Sequence, residues 1–287
     1  MKNPKVSVIC LCYNHARFVR EAIQSVLNQS YKNIQLILVD DFSTDNSVEV
    51  INDVIKANPQ IIFISLSINV GNCRAFNQGL AQANGDFIID LAADDVLLSN
   101  RVSVGVEHFE KISAQYGVQF SDAEIIDEAG QHLSFHSDRF THDVPQGDIY
   151  KDLISKYFVN GPTMMIRKEV FDRLGGYDES LAYEDFDFWI RSSREFYYFY
   201  IPQVLVKKRI VEGSMSMNQF TRSGEQRKST FEICKKILML NRNNTEQQNL
   251  NTRIRYEIRT SLKLFDFALA IRYAQLLLRN SKQKYQS

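Results

Sequence analysis

Val6 to Tyr13 (VSVICLCY) is an unbroken apolar run. A strand covered on both faces of a sheet has this pattern, so a strand is expected here. The helix predicted next carries Ala22, Ile23, Val26 and Leu27 on one face. IQLILVD, residues 34–40, is the second strand. Asp45 stands where an N-cap would, ahead of a helix with Val48, Ile51 and Ile55 at helical spacing. Residues 61–65 form a third strand. Residues 74–83 form a helix stopped by Asn84-Gly85, and residues 86–91 a fourth strand. Repeated strand–helix units imply an α/β fold, with a mostly parallel sheet and helices on both faces. Ligands of such sheets bind outside the carboxyl ends of the strands.

After residue 100 the pattern changes. Residues 118–127 alternate like a half-buried strand, and Glu128-Ala129-Gly130 is a turn into another. Residues 136–147 are polar and expected as loop. Residues 163–168 are a short strand, followed by a short helix ending at Gly175 or Gly176. YEDFDFWIRSSRE, residues 183–195, starts a further helix whose aromatics should be buried and whose acids should be solvated. Beyond Met217 the chain is helical. Its last helix is expected to carry Ile254, Ile258, Leu262, Phe265, Leu269, Tyr273 and Leu276 as one stripe. Leu264, Phe267, Ile271 and Leu278 form a second stripe, giving a wide apolar face. Domains are therefore expected at 1–216 and 217–287.

Charge sharpens that division. The 287 residues are neutral by formal count, which excludes steering of the whole molecule toward nucleic acid. Residues 217–287, however, hold 14 Lys and Arg against 5 Asp and Glu, a net +9 that leaves −9 for the first 216. Basic groups beside a broad apolar face suit either packing on the protein or contact with an anionic membrane. No signal peptide is visible, and no segment reaches the ~18 to 20 apolar residues of a membrane span. The four cysteines lack paired spacing, which points to a reducing, cytoplasmic location; Cys10 and Cys12 should be buried as small hydrophobes.

Acidic groups mark the strand ends. Asp40-Asp41 closes the second strand, Asp94-Asp95 follows the fourth, and Asp185 opens a later helix. Each alone is an ordinary helix-end or loop acid. At the carboxyl ends of neighbouring parallel strands they would share one crevice and repel unless compensated. Oxygen ligands of this kind suit Mg²⁺ or Mn²⁺ bridging phosphate oxygens. No GxxxxGK[ST] or GxGxxG loop is present to bind phosphates instead.

Five ordered stretches carry a resemblance. VSVICLCYNHARFVREAIQSVLNQSY, VDDFSTDNS, NVGNCRAFNQGLAQANGDFI, AADD and GGYDESLAYEDFDFWIR are similar to inverting glycosyltransferases of family 2. The resemblance runs from Lys5 to Ser216 and implies a GT-A fold with a C-terminal helical extension. It also implies transfer of a sugar from a nucleotide diphosphate, UDP-linked above all, to a saccharide or lipid-linked acceptor. By position, Asp41 would accept the uracil N–H and Asp95 would coordinate Mn²⁺ or Mg²⁺. Asp94 would approach the ribose or donor sugar, Asn14 and Arg74 would lie at the donor, and Asp185 would be the catalytic base. A carboxylate beside aromatic rings is a stronger base while it stays ionised.

Three positions depart from the family pattern. Ala92 stands where a further Asp is usual, Phe76 replaces an Arg, with Arg74 two residues earlier, and Val211 replaces a His before Gly213-Ser214. These departures leave an alternative, a non-catalytic sugar-nucleotide-binding or scaffold subunit. The bland readings are a solvated loop residue for His15, a surface acid for Asp122, and turn or cap residues for Asn69, Gly71 and Asn77.

Overall fold

The computed structural model describes residues 3–212 and 224–285. The chain divides into two units. The first holds Met1–Gly147, Val159–Glu179 and Phe196–Val211; the second holds Asp148–Phe158, Ser180–Glu195 and the chain from Glu212 onward. The expected domain boundary after Ser216 lies outside the described residues.

The first unit is built on one mixed sheet. Its strands are β1 (Val6–Cys12), β2 (Ile34–Asp40), β3 (Ile62–Ser65), β4 (Phe87–Ala92), β5 (Val96–Leu97), β6 (Tyr116–Ile126), β7 (His132–Phe135), β8 (Met165–Arg167) and β9 (Tyr197–Arg209). They run in the order β3-β2-β1-β4-β8-β6-β9-β5, with β7 on β6. The first four are parallel; β8 then pairs antiparallel with β4 and β6. Every residue of β1 is buried, as its unbroken apolar run requires. Its neighbours in the core come from β2, β4 and the inner faces of α1 (Val19–Leu27), α2 (Ser47–Ala57) and α4 (Arg101–Lys111). Cys10 and Cys12 are buried in this core, and burial pushes the Cys12 thiol up to about 12. α6 (Lys168–Leu174) ends as expected at Gly175, whose left-handed φ of 75° suits glycine.

Several expectations need correction. The N-cap of α2 is Asn46. Asp45 instead accepts the Ser47 N–H at 2.9 Å and the Ala16 N–H at 3.0 Å, so it ties two loops together before the helix begins. α3 spans Asn72–Leu80, starting and ending earlier than 74–83. β9 has no counterpart in the sequence reading. Pro202 and Gln203 fall at a register shift where Ser121 pairs with Ile201 but Asp122 with Val204. A proline within the run hides a long strand that a bulge accommodates.

The second unit is helical, with α5 (Tyr150–Ser155), α7 (Asp185–Ser193), α8 (Glu225–Leu240), α9 (Asn244–Lys263) and α10 (Phe267–Lys282). The expected long last helix is two. Phe265 takes a left-handed φ of 56°, and the Asp266 carboxylate caps α10 by accepting the Leu269 N–H at 3.2 Å. The helices turn back on each other, with Gln247 Nε2 donating to the Asn280 and Gln283 carbonyls at 2.6 and 2.7 Å. Among the described residues no helix is long and apolar enough to cross a membrane.

Candidate functional site

β1 is flanked by β2 on one side and β4 on the other, so the strand order reverses beside it. Loops leaving the carboxyl ends of such strands diverge and leave a crevice. In the first unit these loops carry Asn14 and His15 after β1, Asp40 and Asp41 at β2, and Asp94 and Asp95 after β4.

The two acids at β2 are held differently. Asp40 is buried and accepts both the N–H and the hydroxyl of Ser43, at 3.0 and 2.5 Å, so it shapes its own loop. Asp41 accepts the Val70 N–H at 2.7 Å on one oxygen and the Gly71 N–H at 2.9 Å on the other. Each carboxylate oxygen can accept a further bond, so Asp41 keeps capacity for a ligand N–H while fixed in place. Asn69 and Gly71 are thus more than turn residues: Asn69 donates to the Asp41 carbonyl at 3.2 Å.

Asn14 has a left-handed φ of 58°, and its side-chain Oδ1 accepts the Thr44 N–H at 2.8 Å. It joins the β1 loop to the β2 loop. Phe42, at φ 64°, is the other non-glycine residue of the crevice in that region. Asparagine tolerates this region, but a bulky phenylalanine held there carries strain that the surrounding contacts must balance, a common feature of functional loops.

Asp94 and Asp95 form the tight bend after β4. Asp95 is 2% exposed and accepts the Arg209 N–H at 2.8 Å. Arg209, at the end of β9, also donates to the Asp94 carbonyl at 2.9 Å and pairs with Glu21 at 2.6 Å, so it pins the whole bend. Burial first, then the neighbouring Asp94 charge, pushes the Asp95 carboxyl up to about 8, against the pull of Lys208 and Arg209. The pair therefore needs a positive charge beside it to ionise fully. A divalent cation held by one or two carboxylates, with phosphate oxygens and water completing the shell, answers that need. Among the described residues no group of three or more His, Cys, Asp or Glu forms a self-sufficient metal cluster. The donor set fits a cation that shares its ligands with a bound diphosphate.

Sequence reasoning read His15 as a solvated loop residue and passed over several other residues here. His15 Nε2 lies 3.9 Å from Asp94 Oδ2, nearer the acids than a solvated loop residue would be. Tyr13 and Phe42 follow β1 and β2 with 45% and 48% of their surface exposed. An exposed aromatic directly after a buried strand is the signal that could have found them. Lys208 and Arg209 were invisible because β9 was.

The remaining predicted positions have definite partners. Arg74 is exposed, with Nε 3.6 Å from Glu179 Oε2. Phe76 is buried and stacks on Tyr177 at 4.2 Å, so it serves the core. Asn77 accepts the Tyr177 N–H at 3.0 Å and donates to its carbonyl at 2.9 Å. A Cβ at Gly176 would sit 2.5 Å from the Asn77 side-chain oxygen, which is why glycine stands there. Asp122 is not a surface acid: it is buried and accepts the Ser137 N–H and hydroxyl at 3.0 and 2.6 Å. Val211 is half-buried, and Gly213-Ser214 lie outside the described residues.

In the second unit, Asp185 is half-buried as the first residue of α7, and Glu184 is the N-cap without a side-chain cap bond. Phe186, Phe188 and Trp189 are buried and Tyr183 half-buried. Phe186 meets Tyr157 edge-on at 5.0 Å, and the Tyr183 hydroxyl bonds Thr230 at 2.8 Å. The rings thus anchor the start of α7. Asp187 is buried as well, not solvated. It accepts from Arg191 Nε at 2.6 Å and Lys236 Nζ at 2.5 Å, tying α7 to α8. Removing its charge strands two cations, though Lys236 is 31% exposed and screened by water. Asp187→Asn should lower stability by about 2 kcal/mol, seen as a fall of about 5 °C in Tm. An unchanged Tm would show that the pair is solvated.

Comparison with known proteins agrees with this geometry. The profile described as Glycosyl transferase family 2 matches residues 7–175. An uncharacterized glycosyltransferase of Rickettsia typhi is 29% identical over 209 residues, 72% of this chain and 64% of the relative. The chain thus spans about two thirds of that relative's length. Among solved structures, S. aureus TarS in complex with UDP-GlcNAc superposes with TM-score 0.70 at 16% identity, over 98% of this chain and 93% of that one. The mannosyltransferase PcManGT from Pyrobaculum calidifontis, in complex with GDP-Man and Mn²⁺, gives TM-score 0.66 at 14% identity, over 100% and 77%. The strand-end acids, the mixed sheet shared with GT-A structures and the profile match lead to one assignment: the chain belongs to glycosyl transferase family 2.

Proposed function

We propose that the chain is an inverting glycosyltransferase. It takes a sugar from a nucleotide diphosphate, UDP-linked above all, and transfers it to a hydroxyl of a saccharide or lipid-linked acceptor in surface polysaccharide or glycan synthesis. The observation that carries this reading is the placement of Asp41 and Asp94-Asp95 at the ends of β2 and β4, on either side of β1. Family membership and the sugar nucleotides bound by TarS and PcManGT support it. The proposed location is the cytoplasm, where sugar nucleotides are at hand.

In this reading Asp41 accepts the base N–H, and Tyr13 offers a ring face to the base. Asn14 and Arg74 lie at the donor, and Asp94 meets the ribose or sugar. Asp95, with Asp94, would hold Mn²⁺ or Mg²⁺, which when bound offsets negative charge on the departing diphosphate. Asp185 takes the proton of the acceptor hydroxyl. The oxygen then bonds to the anomeric carbon from the face opposite the diphosphate, whose bond breaks with its electron pair. One displacement inverts the centre and needs no covalent nucleophile.

A screen of UDP-, GDP- and dTDP-sugars by thermal shift with and without Mn²⁺ tests the donor. The matching donor at a hundredfold excess over Kd stabilises the fold by about 2.7 kcal/mol, and only with the cation. Calorimetry with UDP and Mn²⁺ beside a donor-turnover assay tests the chemistry. Binding without any turnover would return the scaffold reading. Binding of no sugar nucleotide would reject the proposal.

A further inference from the structure

The end of the α9–α10 hairpin is apolar and open to solvent. Leu262, Phe265 and Phe267 fall within six residues at its tip and are 47%, 65% and 58% exposed. Ile271, one turn into α10, is 59% exposed, and Leu278 is 64% exposed. Phe267, Ile271 and Leu278 lie on one side of α10, over about 16 Å of helix. The opposite side, Leu269, Tyr273 and Leu276, is buried within the second unit. The Phe265 and Phe267 rings meet edge-on at 6.4 Å and project as a pair. Isolated exposed apolar residues are ordinary, but two phenylalanines and two leucines with an isoleucine on one hairpin are not.

The charges around this patch say what covers it. Arg259, Lys263, Arg279 and Lys282 are all exposed. Among the described residues none of these four sits in an ion pair. Arg272 is exposed too, and pairs with Glu232 at 3.3 Å. From Ile258 to the end of the sequence the only acid is Asp266, which is taken up by Arg227 at 3.3 Å and by the cap of α10. A second copy of the chain meeting this face about a two-fold axis would set cation against cation. A surface that is apolar at depth and negative at its rim matches it on both counts.

We infer that the tip of the α9–α10 hairpin docks on an anionic lipid bilayer. Phe265, Phe267, Leu262 and Ile271 enter the headgroup boundary, and Arg259, Lys263, Arg279 and Lys282 meet the lipid phosphates. The inference needs no particular donor or acceptor and stands apart from the proposed transfer.

The test is flotation of the full chain with phosphatidylcholine vesicles and with vesicles containing about one third phosphatidylglycerol. Flotation should require the anionic lipid and weaken in high salt. Phe265→Ser with Phe267→Ser should cut binding roughly tenfold or more. Arg259→Gln and Lys263→Gln should cost about fivefold each. All four side chains are exposed, so melting temperature should hold. If the aromatic pair does unfold the protein, the charge variants decide alone. Absence of flotation on anionic vesicles overturns the inference, as does flotation indifferent to these variants. A dimer in lipid-free solution that is lost in the aromatic variant would also overturn it, assigning the face to a second copy. UDP binding, measured in parallel, reports separately on the proposed function.

Discussion

Asp185→Asn should lower sugar transfer by on the order of 10² to 10⁴, the usual contribution of a positioned general base. Binding of UDP and Mn²⁺ should be unchanged, because the residues assigned to the donor are Asp41, Asp94 and Asp95. The fold should be unchanged too. Asp185 is the first residue of α7 and only half-buried, and asparagine is nearly isosteric and tolerated at a helix start. Its neighbours supply the controls. Glu184→Gln should be mild, since glutamine keeps the length of the side chain and an accepting oxygen at the N-cap of α7. Asp187→Asn should lose stability rather than chemistry, because its carboxylate holds Arg191 and Lys236. Turnover of the three variants on one acceptor, beside their melting temperatures, separates the cases. Near wild-type turnover of Asp185→Asn removes the residue from the mechanism. Activity lost only through unfolding makes it a helix-start residue.

The second large effect is expected at Asp95. Asp95→Asn keeps an oxygen to accept the Arg209 N–H, so the bend after β4 should survive. It removes the carboxylate that a bound cation would ionise and share with a diphosphate. Mn²⁺-dependent UDP binding should weaken by on the order of 10²-fold. Wild-type binding in chelator should be weak to begin with. Calorimetry of both proteins with and without Mn²⁺ gives the answer. UDP binding that survives chelation undiminished would separate the carboxylate pair from metal altogether.

The parallel half of the sheet was legible because each strand is a continuous apolar run and each helix an amphipathic one. β1, β2 and β4 fall within a residue or two of their expected spans. The acids at their ends were legible because short βα loops leave strand-end residues little choice of place. Local pattern failed where local preference and tertiary contacts disagree. α4 is punctuated by Gly105, which faces Met165 and Arg101 so closely that no Cβ fits. The last helical stretch keeps its stripe through residues 262–276, yet a single left-handed residue and one cap break it in two.

By itself the sequence determined the α/β class, the strand-end carboxylates, the burial of Phe186, Phe188 and Trp189 and, through five ordered stretches that resemble it, the family. Each rests on periodicity or on residues close in the chain. Only the tertiary structure decided that Asp95 is buried and held by Arg209, 114 positions away, and that Asp41 is set by the amides of Val70 and Gly71. It alone turned Asp122 from a surface acid into a buried acceptor, and the second apolar stripe of the tail into an exposed face. Burial and long-range hydrogen bonds depend on what packs alongside, and no local pattern carries that information.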